Sequence, residues 1–167
     1  SSGIYLKFIP WTTDGILLSN SAMSGWEFAV GQGNKIYFAT PNNSGVQQRF
    51  IAYDVNLKTS MDLNLAGNDL CACGYNSDLI SVGSKLYYFA NSGTVYETQS
   101  DTWSTANYNY SPRGEAGVAA LGDKIYYIGG SGPLNTCQVY DTITNTWSTI
   151  PNYLYSTDWS AVVAYNN

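Results

Sequence analysis

Acid–base chemistry in this chain would fall to carboxylates and tyrosines, because its 167 residues contain no histidine. That absence removes the usual general base, the Ser-His-Asp triad and every histidine-ligated metal centre. Twelve Asp and Glu residues remain, and two carboxylates facing across a cleft can cleave a glycosidic bond. Asp54, Asp101, Asp123 and Asp141, however, fall at turns or strand ends, where such side chains shape the backbone. A glycoside hydrolase or lyase working with carboxylates and tyrosines is therefore the least favoured reading. Metal chemistry is no better supplied. No Asp-x-Asp-x-Asp run is present to cage Ca²⁺, and Cys71-x-Cys73 without histidine makes a poor zinc set. Cys137 makes the cysteine count odd, so the three cannot all pair within one chain. Buried thiols on strands are the favoured reading, with a disulfide from Cys137 to Cys71 or Cys73 as the alternative. No metal or cofactor is expected, and the chain reads as a non-enzyme.

Recognition chemistry is far better supplied. Fifteen tyrosines and five tryptophans stand in a chain of which only 11% is charged. Several of these rings fall in segments of Asn, Ser, Thr and Pro rather than in apolar runs. They are Tyr75, Tyr108 and Tyr110 with Arg113, then Tyr153, Tyr155 and Trp159 with Asp158. A flat ring offers apolar area while nearby amides and hydroxyls give directional hydrogen bonds, which suits protein hot spots and sugar stacking alike. These eight residues form the candidate ligand-binding set. Seven Lys and Arg, thinly spread in a chain of net charge -5, argue against nucleic acid, which requires a concentrated basic patch. The longest apolar stretches, such as residues 160–165, are far too short to span a bilayer. Asn42-Asn43-Ser44 and Asn109-Tyr110-Ser111 fit the N-glycosylation pattern, and with the low charge they favour a secreted or cell-surface setting. Ser1-Ser2-Gly3 reads as the product of leader removal or as an appended scar.

What must position these rings is a repeated unit. Tyr96-Glu-Thr-Gln-Ser-Asp-Thr-Trp103-Ser-Thr recurs 44 residues later as Tyr140-Asp-Thr-Ile-Thr-Asn-Thr-Trp147-Ser-Thr. Ahead of it, Gly33-Asn-Lys-Ile-Tyr37 returns as Gly83-Ser-Lys-Leu-Tyr87 and Gly122-Asp-Lys-Ile-Tyr126. Periods in the forties mean stacked supersecondary units. No window shows helical periodicity, so almost no helix is expected. The clearest unit divides into strands at Gly117–Leu121, Lys124–Ile128, Cys137–Asp141 and Thr146–Ile150.

These residues resemble the kelch motif, in which an apolar run, a Gly-Gly pair, a Tyr and a Trp follow at fixed separations. The unit from Gly117 to Trp147 keeps all of them, with Gly129-Gly130, Tyr140 and Trp147. The unit from Asp78 to Trp103 has Ala90-Asn91 for the glycines. The unit from Phe28 to Ser60 has Ala39-Thr40 there and Ser60 for the Trp. The resemblance implies an all-β propeller of four-stranded antiparallel blades, in which Tyr53, Tyr96, Tyr140, Trp103 and Trp147 are core residues between blades. It does not carry the activity of copper oxidases sharing the fold, which need histidines, and two arginines are too few for a sialidase-type site.

Ala161-Val-Val-Ala-Tyr165 resembles the first strand Gly117–Leu121, while Gly3-Ile4-Tyr5 or, preferably, Tyr5 to Trp11-Thr-Thr resembles later strands of a unit. Residues 1–167 therefore read as one domain of about four blades, one of them composite from both termini. A ring shared by two chains and a piece of a longer propeller are the alternatives. With four strands running up and down, the loops after the second and fourth strands share one end, where the candidate rings lie. The expected function is recognition of a protein partner or glycan by a lectin-like Tyr/Trp-rich face. The alternative is a structural, self-assembling oligomer whose terminal strands complete a propeller or filament with neighbouring chains.

Overall fold

The computed structural model of the protein describes residues 28–40, 49–65, 78–89, 93–107, 115–132, 134–157 and 161–165. Apolar alternation and glycine turns divide these residues into three antiparallel sheets of four strands. The first holds β1 (Phe28–Gln32), β2 (Lys35–Thr40), β3 (Arg49–Asp54) and β4 (Thr59–Asp62). The second holds β5 (Asp78–Val82), β6 (Lys85–Phe89), β7 (Gly93–Glu97) and β8 (Thr102–Thr105). The third holds β9 (Gly117–Leu121), β10 (Lys124–Ile128), β11 (Cys137–Asp141) and β12 (Thr146–Ile150), the four segments expected from sequence. No helix occurs among the described residues. Each sheet is a simple meander in chain order, and the tight turns after β1, β5 and β9 carry glycines at φ 59°, 58° and 59°, a conformation most side chains resist.

The sheets stack face to face, with β1 against β5 and β5 against β9, so the first strands line a common inner edge. Strand alternation sends successive side chains to opposite faces. In the second sheet Leu86, Tyr88 and Tyr96 therefore join Tyr37, Phe50 and Ala52 of the first. Their neighbours Tyr87, Phe89 and Val95 join Ile125, Tyr127 and Tyr140 of the third. The middle sheet is buried on both faces, as strands β6 and β7 reflect in near-continuous burial.

A volume exchange keeps the two interfaces alike. In the first sheet the cross-strand pair is Ala39 opposite Phe50, and in the second it is Phe89 opposite Gly93. The large ring has changed strand, yet its role is the same. Phe50 lies 4.8 Å from Tyr96 and 5.3 Å from Trp103, while Phe89 lies 5.1 Å from Tyr140 and 5.2 Å from Trp147. Gly93 leaves room for that ring: a Cβ there would come within 3.3 Å of Phe89 and 3.1 Å of the Ala106 carbonyl oxygen, a tight fit.

The repeated Tyr and Trp are structural, as expected, and the atoms show how. The Tyr96 hydroxyl donates to Asp101 Oδ1 at 2.8 Å and the Tyr140 hydroxyl to Asn145 Oδ1 at 2.6 Å. Asn145 Oδ1 also accepts the Asn107 backbone N–H of the preceding unit at 2.7 Å, and Asp101 Oδ1 accepts that of Asn64 at 3.4 Å. The indole N–H groups of Trp103 and Trp147 donate to the carbonyls of the same two asparagines, at 2.6 and 2.8 Å. Each clamp thus grips both backbone groups of one residue in the neighbouring unit. In the first unit Lys58 and Ser60 stand at the Asx and Trp positions, and Tyr53 is only half-buried.

Residues 161–165, expected as a first strand, carry no strand here, and Val163 and Tyr165 are 88% and 81% exposed. A strand persists only within a ladder, and the described residues offer this segment no partner. The N-terminal half of the expected composite blade, Gly3 to Thr13, lies outside the described residues. Cys137 is a free thiol, buried on β11. Cys71 and Cys73 lie outside the described residues.

Candidate functional site

Antiparallel pairing throughout each sheet places the β2–β3, β6–β7 and β10–β11 loops at the same end as the connections leaving β4, β8 and β12. In the third sheet the two kinds of loop are stitched together. The turn after β10 closes on itself, with the Leu134 N–H donating to the Gly130 carbonyl at 3.0 Å. Three more backbone bonds fasten the segment leaving β12 to it. The Tyr153 N–H donates to the Asn135 carbonyl, the Thr157 N–H to the Leu134 carbonyl, and the Gly130 N–H to the Thr157 carbonyl, all at 2.8–2.9 Å. Gly129 makes the approach possible: its φ is +70°, and an added Cβ would lie 2.7 Å from the Thr157 carbonyl oxygen. The Gly-Gly pair therefore holds a second loop as well as turning its own.

Between those anchors the chain protrudes. Tyr153 is 49% exposed, Leu154 85% and Tyr155 70%, and the two tyrosine rings meet edge to face with centroids 6.2 Å apart. Of the eight residues expected to bind a ligand, the structure brings together Tyr153 and Tyr155. Tyr75, Tyr108, Tyr110, Arg113, Asp158 and Trp159 lie outside the described residues. Leu154 was not anticipated. The sequence offers only its setting, a lone aliphatic between two tyrosines in a polar segment with no periodic apolar partner.

The carboxylates have other occupations. Asp54 Oδ1 accepts the N–H groups of Asn56 and Leu57, and Asp141 Oδ1 those of Ile143 and Thr144, each closing its own turn. Asp62 pairs with Arg49 at 2.8 Å. Two acids do share a cleft, Asp123 and Asp141, beside Leu121, Tyr126 and Ile143 at the opposite end of the third sheet. There the Lys124 ammonium and the Thr144 N–H hold the Asp141 carboxyl down at about 2, and so weak a base is a poor general catalyst near neutral pH. Among the described residues, no three His, Cys, Asp or Glu side chains gather as a metal site.

Three four-stranded antiparallel sheets stacked with their first strands innermost are consistent with blades of the β-propeller kind. A family model, the kelch motif, matches residues 112–152, which span all four strands of the third sheet, the unit that keeps every residue of the motif. Kelch repeats build protein-interaction modules. No curated protein matches the chain. The matched segment ends at Asn152, immediately before the protruding Tyr153–Thr157 segment.

Proposed function

We propose that the protein is a non-enzymatic recognition module that binds a protein partner through the loop end of its blades, with Tyr153, Leu154 and Tyr155 as contact residues. The observation that carries this reading is the exposure of an aromatic-aliphatic tip between backbone hydrogen-bond anchors. Rings on a pre-ordered loop can bind without the entropy cost of ordering it, and tyrosine is over-represented among residues that dominate interface energies. An exposed leucine between the tyrosines favours a protein partner over a sugar, whose hydroxyls would be left without donors or acceptors there. Tyr75, Tyr108, Tyr110, Arg113, Asp158 and Trp159 are proposed to widen the same face, and a secreted or surface-displayed setting accords with the low charge.

The test is capture of partners from extracellular and surface extracts by the immobilised full chain, followed by titration of the recovered protein. The double variant Tyr153→Ala/Tyr155→Ala should weaken that affinity by on the order of 100-fold while leaving the circular dichroism spectrum unchanged. Equal affinity for the variant would remove these rings from the site. Retention on a glycan array with no protein captured would move the reading to a lectin.

A further inference from the structure

The outer faces of the first and third blades depart from the repeat in matching ways. At the two interior interfaces the threonine two residues after the repeat's Tyr, Thr98 or Thr142, lies near the forward-facing tyrosine of the preceding blade, Tyr37 or Tyr87, and its hydroxyl donates to the Ser84 or Asp123 carbonyl at 2.8 Å. Two positions further the next blade carries Ser100 or Thr144. In the first blade these two positions are Val55 and Leu57, and they are 43% and 72% exposed. Lys58 then replaces the Asx of the clamp and Ser60 its Trp. Beside them Ile36, Phe38 and Tyr53 are half-buried, whereas their counterparts Leu86, Tyr88, Tyr96, Ile125, Tyr127 and Tyr140 are at most 2% exposed. The first blade thus presents an outer face on which the threonine, Asx and Trp of the inter-blade contacts are replaced by Val55, Lys58 and Ser60.

The third blade carries the reciprocal changes. Pro151 occupies the position of Asn64 and Asn107, so no N–H is there for an Asx oxygen to grip. Tyr126 stands where Tyr37 and Tyr87 stand, and Leu121 stands where Gln32 does. In the interior Gln32 reaches Ser81 Oγ at 3.3 Å and the Gly83 carbonyl at 2.6 Å in the next blade. At the third blade the equivalent seat is a cleft of about 600 Å³ bordered by Leu121, Asp123, Tyr126, Asp141 and Ile143, with Ile143 75% exposed. Lys124 also borders this seat and pairs with Asp141, which leaves Asp123 as the carboxylate for cationic Lys58, while the aliphatic rim of Leu121 and Ile143 matches aliphatic Val55 and Leu57 on the first blade's hairpin.

We propose that the first blade of one copy docks on the third blade of a second copy, continuing the blade stack from chain to chain. Among the described residues the two faces point away from each other, with the second blade between them, and a second copy supplies each face with the complement it lacks there. The contact is heterologous, joining two different patches, so each chain keeps one unsatisfied face until a ring closes or a filament grows.

Light scattering behind size exclusion tests this on the full chain, from micromolar to hundreds of micromolar. The expected mass is a multiple of 18.2 kDa. Leu57→Asp on one face and Ile143→Asp on the other should each weaken assembly tenfold or more, about 1.4 kcal/mol per factor of ten, and yield monomers. Mixed in equal amounts, the two variants should form a two-chain species, because each supplies the face the other has lost. Val55→Thr/Leu57→Ser, which restores the second blade's own residues, should also weaken assembly and serves if an aspartate perturbs folding. A wild-type monomer at every concentration, assembly undiminished in the variants, or a mixture that stays monomeric would each overturn the proposal.

Discussion

At the scale of single residues, the blades are joined by a few hydroxyl and amide groups, part-buried at the Tyr96 and Tyr140 hydroxyls and exposed at the asparagines. Asn145 is the most heavily used. Its Oδ1 takes both the Tyr140 hydroxyl and the Asn107 N–H, and its backbone stands at φ 57°, which asparagine tolerates better than most residues. Asn145→Ala should cost roughly 1–2 kcal/mol, from the part-buried Tyr140 hydroxyl losing its acceptor plus backbone strain, while the exposed Asn107 N–H turns to water. Trp147→Phe keeps the ring contact with Phe89 but loses the indole donor, at a cost of about 1 kcal/mol. Urea denaturation of the two variants beside an exposed Thr144→Ala control checks both, and equal midpoints for Asn145→Ala and the control would deny the clamp any weight. The same burial governs alkaline behaviour. Desolvation pushes the Tyr140 hydroxyl from 10.0 up to about 12, with the neighbouring Tyr87 adding to it, and desolvation together with Asp101 raises Tyr96. Both folded values lie above the unfolded one, so each contribution is full below pH 10 and falls as pH rises, that of Tyr140 being lost through about 12 and that of Tyr96 above it. Tyrosinate absorbance followed with circular dichroism should show Tyr96 and Tyr140 ionising only as the fold is lost. Smooth ionisation of all fifteen tyrosines with the spectrum intact would contradict this.

At the scale of elements, glycines of the same backbone conformation do different work. Gly122 has φ +59° and open space around its missing Cβ, whereas Gly129 has φ +70° and the Thr157 carbonyl 2.7 Å away. Gly122→Ala should therefore cost about 1 kcal/mol of left-handed strain. Gly129→Ala must in addition push the 153–157 segment off its anchors. Amide exchange at Gly130 and Thr157 should accelerate at least tenfold in Gly129→Ala and stay unchanged in Gly122→Ala. Unchanged exchange at both positions in Gly129→Ala would mean that the loop is held by something other than this approach. The contrast also marks what could be read without coordinates. Strands β9 to β12 and the Gly turns were legible because local patterns specify them, period-two alternation bounded by residues that accept positive φ. The stitching of one loop to another was not, because it joins backbone groups whose residues carry no side-chain signature. Nor was the exchange of Ala39 and Phe50 for Phe89 and Gly93, since a ring that moves between paired strands keeps its place in space while losing its place in the repeat. The absent strand at 161–165 follows the same rule: its composition matches β9, but a strand is decided by its partner. Of the candidate site, the tyrosines are legible by type and setting, whereas a single leucine in a polar segment carries no sign of whether it is buried or exposed.

At the scale of the whole molecule, the three blades are unequal because only the second is covered on both faces by described residues. Its strands β6 and β7 bury Leu86, Tyr87, Tyr88, Phe89, Val95 and Tyr96 to 6% exposure or less. In the first blade all four residues of β4 are exposed, and the clamp positions are Lys58 and Ser60. Backbone amides open with a free energy that follows the apolar contacts which must be broken to release them. Opening β4 breaks few, and it leaves the ring cluster around Phe50 and Tyr96 in place. Opening β6 or β7 separates Tyr88 from the first blade and Phe89 from the third, so both interfaces must fail together. Native-state hydrogen exchange should therefore rank β6 and β7 slowest and β4 fastest, with β10 and β11 between them because Tyr127 and Tyr140 are buried from one side only. A variant that cuts one interface sharpens the test. Ala52→Glu, placing a charge in the cluster between the first and second blades, should bring β2 and β3 towards the exchange rates of β4 while β10 and β11 keep theirs, because the second cluster is untouched. Uniform acceleration in all three blades would instead show that the stack opens as one unit, and then the interfaces could not be ranked by the contacts each contains.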